Sequence, residues 1–227
     1  MQTLLLLHGA IGTSDQLSRL ADVLSTNYKV HTISFTGHGG KAFTDEPFSM
    51  QLFANDILSF LEKEHVEQAS VFGYSMGGYA AMYLAKKYPG KINKLITLAT
   101  KYHWDNEVAA KETQMLIPGK IEQKIPAFAQ ALQQRHHPND WKEVLNRTSE
   151  MMLSLGKDNP LKPDDYRGIE IPVLLMLGDR DKMVGFDETT TVYKALPNAQ
   201  MAILPNTSHP IEQVDNELLS FHIKRFL

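Results

Sequence analysis

Ala69-Ser70-Val71-Phe72-Gly73-Tyr74-Ser75-Met76-Gly77-Gly78-Tyr79-Ala80-Ala81 is the stretch whose reading decides the fold of this chain. Residues 69–74 are small or apolar throughout and read as a strand buried on both faces, while the small residues after Ser75 open a helix. In Gly73-Tyr74-Ser75-Met76-Gly77 the flanking glycines relieve crowding in a strained strand-to-helix turn, and the serine oxygen projects at the helix N-terminus. A Gly-rich structural turn would use the same letters. The strand before and the helix after favour Ser75 as a nucleophile.

Outward from this point, apolar runs of strand length recur at residues 3–7, 30–35, 95–99, 173–177 and 201–204, and few of them alternate with polar residues. Helical stretches fit residues 17–24, 77–88, 187–196 and 216–226. Another begins after Ser49, with Phe53, Ile57, Phe60 and Leu61 on one face. The alternation predicts an α/β fold, a doubly wound, mostly parallel sheet with helices on both faces. It breaks between Lys101 and Arg167, where helical patterns replace strands. Residues 1–100 and 168–227 are therefore expected to form the core, and residues 101–167 an inserted helical cap. Pro118, Pro126, Pro138, Pro160 and Pro163 punctuate the insertion into short helices. Its clearest helix starts near Asn139 or Asp140, carries Trp141, Val144, Leu145, Thr148, Met151, Met152 and Leu155 on one stripe, and is expected to stop at Gly156.

The chain's 227 residues fit one large domain or two small ones, and 43% hydrophobic with 22% charged residues excludes disordered, collagen-like and membrane classes. Zero cysteines exclude disulfides, thiolate metal sites and a Cys nucleophile, and lean toward a cytoplasmic location. A net charge of -3 without long like-charge runs offers no footprint for nucleic acid or an anionic membrane. Leu4 to Leu7 is too short for a signal-peptide core and lacks a basic flank, so it reads as a strand.

A serine hydroxyl needs a base, and the base an orienting acid. Of nine histidines, His209 alone lies in the loop after the last strand, in Asn206-Thr207-Ser208-His209-Pro210. His8 is expected to hydrogen-bond within its own tight turn, His38 to lie in a flexible glycine loop, and the pair His136-His137 to sit on a solvated face rather than bind a metal. The acid lies in Leu177-Gly178-Asp179-Arg180-Asp181. Asp181, beyond the turn, is preferred, with Asp179 supporting the turn. Two backbone donors must meet an oxyanion. They are Met76 N–H and a donor from His8-Gly9-Ala10-Ile11-Gly12, with Ala10 the natural choice and Ile11 the reserve.

Taken in order, His8-Gly9, Thr36-Gly37-His38-Gly39-Gly40, Gly73 to Gly77, Gly178 to Asp181 and Ser208-His209-Pro210 make the chain resemble the α/β-hydrolase superfamily from Thr3 to the C-terminus. The resemblance implies a Ser-His-Asp hydrolase with a variable helical cap after the strand ending at Ala99 and no cofactor. It carries Ser75 over as nucleophile, His209 as base, Asp181 as acid, and Ala10 and Met76 as oxyanion donors. Two departures stand out. The usual first two strands are missing, which leaves the strand at residues 28–35 on an open edge, and Phe35-Thr36 replaces the common Pro or Arg before Gly-His-Gly. A serine at the elbow argues against the superfamily's haloalkane dehalogenases and epoxide hydrolases, which need a carboxylate nucleophile.

The expected activity is hydrolysis of a small soluble ester or thioester through an acyl-enzyme on Ser75, in the manner of a carboxylesterase. The alternatives are a C–C hydrolase or lyase using the same triad, and a non-catalytic ligand-binding protein. The expected partner is a small acyl substrate, with neither nucleic acid nor membrane. A monomer is placed ahead of a strand-paired homodimer.

Overall fold

A computed structural model describes residues Met1–Leu227. The chain begins with β1 (Thr3–Leu7), a short 3-10 turn, α1 (Ser18–Leu24) and β2 (Lys29–Ile33), followed by α2 (Met50–Lys63), β3 (Ala69–Tyr74), α3 (Met76–Lys87) and β4 (Ile92–Leu98). Five helices follow: α4 (Asn106–Thr113), α5 (Pro118–Lys124), α6 (Pro126–His136), α7 (Trp141–Lys157) and α8 (Pro163–Arg167). The chain then returns to β5 (Val173–Gly178), α9 (Phe186–Ala195), β6 (Ala199–Leu204) and α10 (Asn216–Phe226). All six strands form one parallel sheet in the order β2-β1-β3-β4-β5-β6.

Continuous apolar runs arise because successive strand side chains point to opposite faces and both faces are covered. Leu5, Leu7, Val71, Leu95 and Leu175 pack with α2 and α3 on one side. Leu4, Leu6, Phe72, Ile96 and Leu174 pack with α1 and α10 on the other. β3 and β4 lie at the centre, and β2 pairs only with β1, so its other edge is open.

Several boundaries differ from the pattern in the sequence. β2 ends at Ile33 rather than Phe35, because the Phe35 N–H donates to His8 Nε2 at 3.1 Å instead of to a strand. β4 begins at Ile92, ahead of its apolar run. Its polar residues there are satisfied, Asn93 by Ser70 Oγ at 2.8 Å and Lys94 by donating to the Phe226 carbonyl at 2.8 Å.

α7 runs through Gly156 to Lys157, and Gly156 is no helix stop. A Cβ at Gly156 would lie 2.6 Å from Ala109 Cβ and 2.7 Å from the Asp105 carbonyl, so the glycine lets the start of α4 seat against α7. Asp140 caps α7 by accepting from Lys142 N–H. The stripe of α7 is shared between two cores. Val144, Met151 and Leu155 enter the main core, whereas Trp141 and Leu145 join Leu116, Ile121, Ala129 and Leu132 in a separate small cluster. Pro118, Pro126 and Pro163 each occupy the first position of a helix, where a missing N–H costs nothing.

Candidate active site

Ser75 follows β3 and sits at the N-cap position of α3 with φ 50° and ψ -116°, a conformation an L-residue adopts only under constraint. Four contacts hold it there. Ser75 N–H donates to the Leu98 carbonyl at 2.8 Å, and the Ser75 carbonyl accepts from Gly78 N–H at 3.0 Å, from Tyr79 N–H at 3.2 Å and from Thr100 Oγ1 at 3.2 Å. The turn closes only because Gly73 lacks a side chain, since a Cβ there would meet Gly78 Cα and N at 2.5 Å. As the first residue of α3, Met76 has an N–H with no intrahelical acceptor.

Asp181 and His209, 28 residues apart in the chain, meet through a 2.8 Å bond between Asp181 Oδ2 and His209 Nδ1. The carboxylate can only accept, so Nδ1 carries the proton and Nε2 is left as a lone pair. Asp181 Oδ1 accepts from Met183 N–H at 2.8 Å and Val184 N–H at 2.9 Å, and the side chain is only 1% exposed. Burial alone would raise the Asp181 pKa, but the His209 hydrogen bond and the two amides outweigh it and hold the carboxyl below its usual range. Asp179 is turned away from His209. It accepts from Thr207 N–H at 3.1 Å and lies 3.6 Å from Arg180 Nε, which ties the two loops together.

Ser75 and His209 share a cavity of about 350 Å³ with Ala10. Trp104, Leu116, Phe128 and Met152, from the segment between β4 and β5, wall it together with Met183 and Val184. A smaller space of about 40 Å³ lies beside it, touching Ala10, Ser75 and Met76 and closed by Trp104, Met151 and Leu155. A larger cavity of about 480 Å³, between α4, α8 and α9, touches neither Ser75 nor His209.

Two expectations about histidines are overturned. His38 is fully buried, not part of a flexible loop: it donates from Nδ1 to the Thr36 carbonyl at 3.1 Å and stacks on Phe48 with ring centroids 5.1 Å apart. His136 is also fully buried, whereas only its neighbour His137 faces solvent. Adjacent residues on a helix diverge, and it is His136 that turns inward, onto the Ile11 carbonyl and the Gly39 N–H. His8 hydrogen-bonds in its turn as expected, donating from Nδ1 to the Gly9 carbonyl at 2.8 Å. Burial pushes the His8 and His136 imidazoles down to about 4, and His38 well below its ordinary value. No group of three or more His, Asp or Glu side chains is arranged to hold a metal ion.

Several residues at the site carried no signal of their own in the sequence. Tyr74 donates from its hydroxyl to the His209 carbonyl at 3.0 Å and so anchors that loop. Lys101 donates to the Met183 carbonyl at 2.6 Å and faces Glu112 and Glu188 at 3.5 and 3.7 Å. Of the charged residues Lys111, Glu112, Lys120, Glu122, Lys124 and Arg135 in the helices between β4 and β5, only Glu112 and Arg135 line the cavity, and both are paired. The others face solvent.

A family model described as alpha/beta hydrolase fold matches residues 2–211. A pimeloyl-[acyl-carrier protein] methyl ester esterase of Chromobacterium violaceum is 26% identical over 223 residues, covering 89% of this chain and 83% of its own. Among solved structures, a putative lipase from Acinetobacter baumannii superposes with a TM-score of 0.83 at 22% identity, covering 99% of this chain and 83% of that one. The enol-lactonase of Burkholderia xenovorans superposes at 0.78 with 17% identity, covering 99% and 90%. No helix is long and apolar enough to cross a membrane.

Proposed function

The chain belongs to the alpha/beta hydrolase fold family, and from that premise we propose that it is a serine hydrolase of carboxylesterase type, acting on a small ester or thioester with a short acyl group. The observation that carries this reading is the 2.8 Å Asp181–His209 hydrogen bond beside a serine held at φ 50° in the same cavity. Substrate enters with its carbonyl carbon at Ser75 Oγ. As the Oγ–C bond forms, His209 Nε2 takes the hydroxyl proton, and Asp181 stabilises the imidazolium while keeping its ring oriented. Negative charge on the carbonyl oxygen meets Met76 N–H and Ala10 N–H. His209 then gives the proton to the leaving alcohol or thiol as that bond breaks. Water, deprotonated by the same ring, then attacks the acyl carbon; the Ser75 Oγ–C bond breaks, the ring returns the proton to Oγ, and the acyl group leaves as an acid. No cofactor enters these steps.

The division of space supports a short acyl group. The 40 Å³ chamber touches both proposed oxyanion donors and has room for a short alkyl tail, while the 350 Å³ cavity suits the departing group. The esterase names among the relatives agree with ester chemistry.

Turnover of p-nitrophenyl acetate and butyrate, with fluorophosphonate labelling, tests the proposal on the wild type and on Ser75→Ala. Turnover and labelling that both vanish in the variant are expected. Labelling without ester turnover would point to a C–C hydrolase or lyase using the same residues, and neither to a ligand-binding protein.

A further inference from the structure

The C-terminal end of α6, in the inserted segment, is fastened to the loop that follows β1. His136 Nδ1 accepts from Gly39 N–H at 3.1 Å, so its proton sits on Nε2, which donates to the Ile11 carbonyl at 3.0 Å. Arg135 NH1 donates to the same carbonyl at 3.1 Å. Ile11 has φ 53°, a left-handed conformation that costs a non-glycine residue about 1 kcal/mol or more and must be held by its surroundings.

The bonds beyond Ile11 lead directly to the reacting atoms of the proposed mechanism. The Ile11–Gly12 peptide has its carbonyl gripped by the two α6 side chains, and its N–H donates to the Gly9 carbonyl at 3.1 Å. That Gly9 carbonyl belongs to the Gly9–Ala10 peptide, whose own N–H is the Ala10 donor. A peptide group is planar, so orienting its carbonyl orients its N–H. His8 Nδ1 completes the hold on Gly9 from within the core.

We propose that His136 and Arg135 are positioning residues for the oxyanion site: docking of α6 orients, through two successive peptide planes, the Ala10 N–H that receives the developing negative charge. The inserted segment then does more than wall the cavity, because the donor geometry depends on its being seated. This inference rests on the esterase reading above, and its test separates the two.

The experiment compares wild type with His136→Phe, His136→Gln and Arg135→Met in p-nitrophenyl acetate kinetics and in amide hydrogen exchange. His136→Phe keeps the ring shape but removes both hydrogen bonds. It should lower kcat about ten- to a hundredfold, the scale of a misplaced oxyanion donor, with KM within about threefold. Its Gly12 amide, which is bonded to the Gly9 carbonyl, should exchange at least about tenfold faster, while Val71 and Leu95 in the sheet stay protected. His136→Gln, whose amide offers one acceptor and one donor, should recover part of both effects. Arg135→Met should show the same pattern more weakly, because His136 still holds Ile11, and it serves if His136→Phe does not fold. Unchanged kcat and unchanged exchange at Gly12 would overturn the proposal, as would acceleration spread equally over the sheet. A wild type without ester turnover sinks the esterase reading alone, and the exchange comparison then decides the positioning role by itself.

Discussion

Acid should destabilise this protein well above the pH at which carboxylates titrate, because three imidazoles are locked inside it as neutral rings. His8, His38 and His136 are fully buried within one contiguous cluster, with centroids 5.2 Å apart for the first pair and 5.8 Å for the second. Burial is the main cause of their lowered pKa values, and the backbone bonds to Gly9, Thr36 and Ile11 oppose it. Arg135 adds to the depression at His8 and His136, and Lys41 at His8. In the unfolded chain each ring takes up a proton near 6.5, whereas native His8 and His136 wait until about 4. The unfolded state therefore binds more protons throughout that window. Stability is intact above it and falls as the pH drops through it. Each ring contributes a slope approaching about 1.4 kcal/mol per pH unit, so His8 and His136 together remove about 6 kcal/mol across the window, a large share of a typical 5–15 kcal/mol. His38 acts in the same direction. Asp181, held low by His209, adds its own loss only below its ordinary 3.8. Urea unfolding followed by the fluorescence of Trp104 and Trp141 at pH 7.5, 6.5, 5.5 and 4.5 reads the effect. The unfolding free energy should fall by only about 1 kcal/mol between the first two points and then by about 2–4 kcal/mol per pH unit. A free energy constant down to pH 4.5 would refute the assignment of these rings as neutral and buried.

Asp181→Asn should lower kcat by roughly 10³- to 10⁴-fold, because an amide stabilises the wrong imidazole tautomer. Asp179→Asn should cost far less activity while lowering stability by about 1 kcal/mol through its weakened bond to Thr207 N–H; the reverse order would reassign the acid. Acetyl and propionyl esters should be preferred over octanoyl esters by at least about tenfold in kcat/KM, and Met151→Ala, which opens the 40 Å³ chamber, should narrow that gap. Equal turnover of all chain lengths by the wild type would contradict the chamber's role. The open edge of β2 predicts fast exchange at its outward N–H groups, and Lys29 and His31 on that strand oppose edge pairing and predict a monomer in light scattering coupled to size-exclusion chromatography; comprehensive protection of β2 in a monomer would contradict the open edge.

The features legible beforehand share one property, that their signal is local. Apolar runs without alternation announced a sheet covered on both faces, since a strand between two helical layers has no solvent side to make polar. Gly73 to Gly77 announced a strained turn because close backbone approach selects glycine. The order of Ser75, Asp181 and His209 followed from the loops after β3, β5 and β6, and parallel strands bring those three loops to one end of the sheet, where Ser75 and His209 share a cavity and Asp181 bonds to His209.

What tertiary structure alone decided is what depends on contacts between distant segments. Nothing near Gly156 in the sequence says that α4 lies against it, so a glycine that ended a helical pattern looked like a stop. His136 and His137 are chemically identical neighbours, and which one turns inward depends on where α6 lands. The loops it meets are more than 90 residues earlier, at Ile11 and Gly39. Charged residues of the insertion were equally uninformative about the cavity, because side chains on one helix divide between solvent and interior by rotation alone. The sequence by itself determined the sheet, the strained turn at Ser75 and the loops that carry Asp181 and His209, each written in residues close together in the chain. The seating of the insertion on that sheet, and with it the size of the cavity and the grip on the Ile11 carbonyl, arises from side chains that meet only after folding.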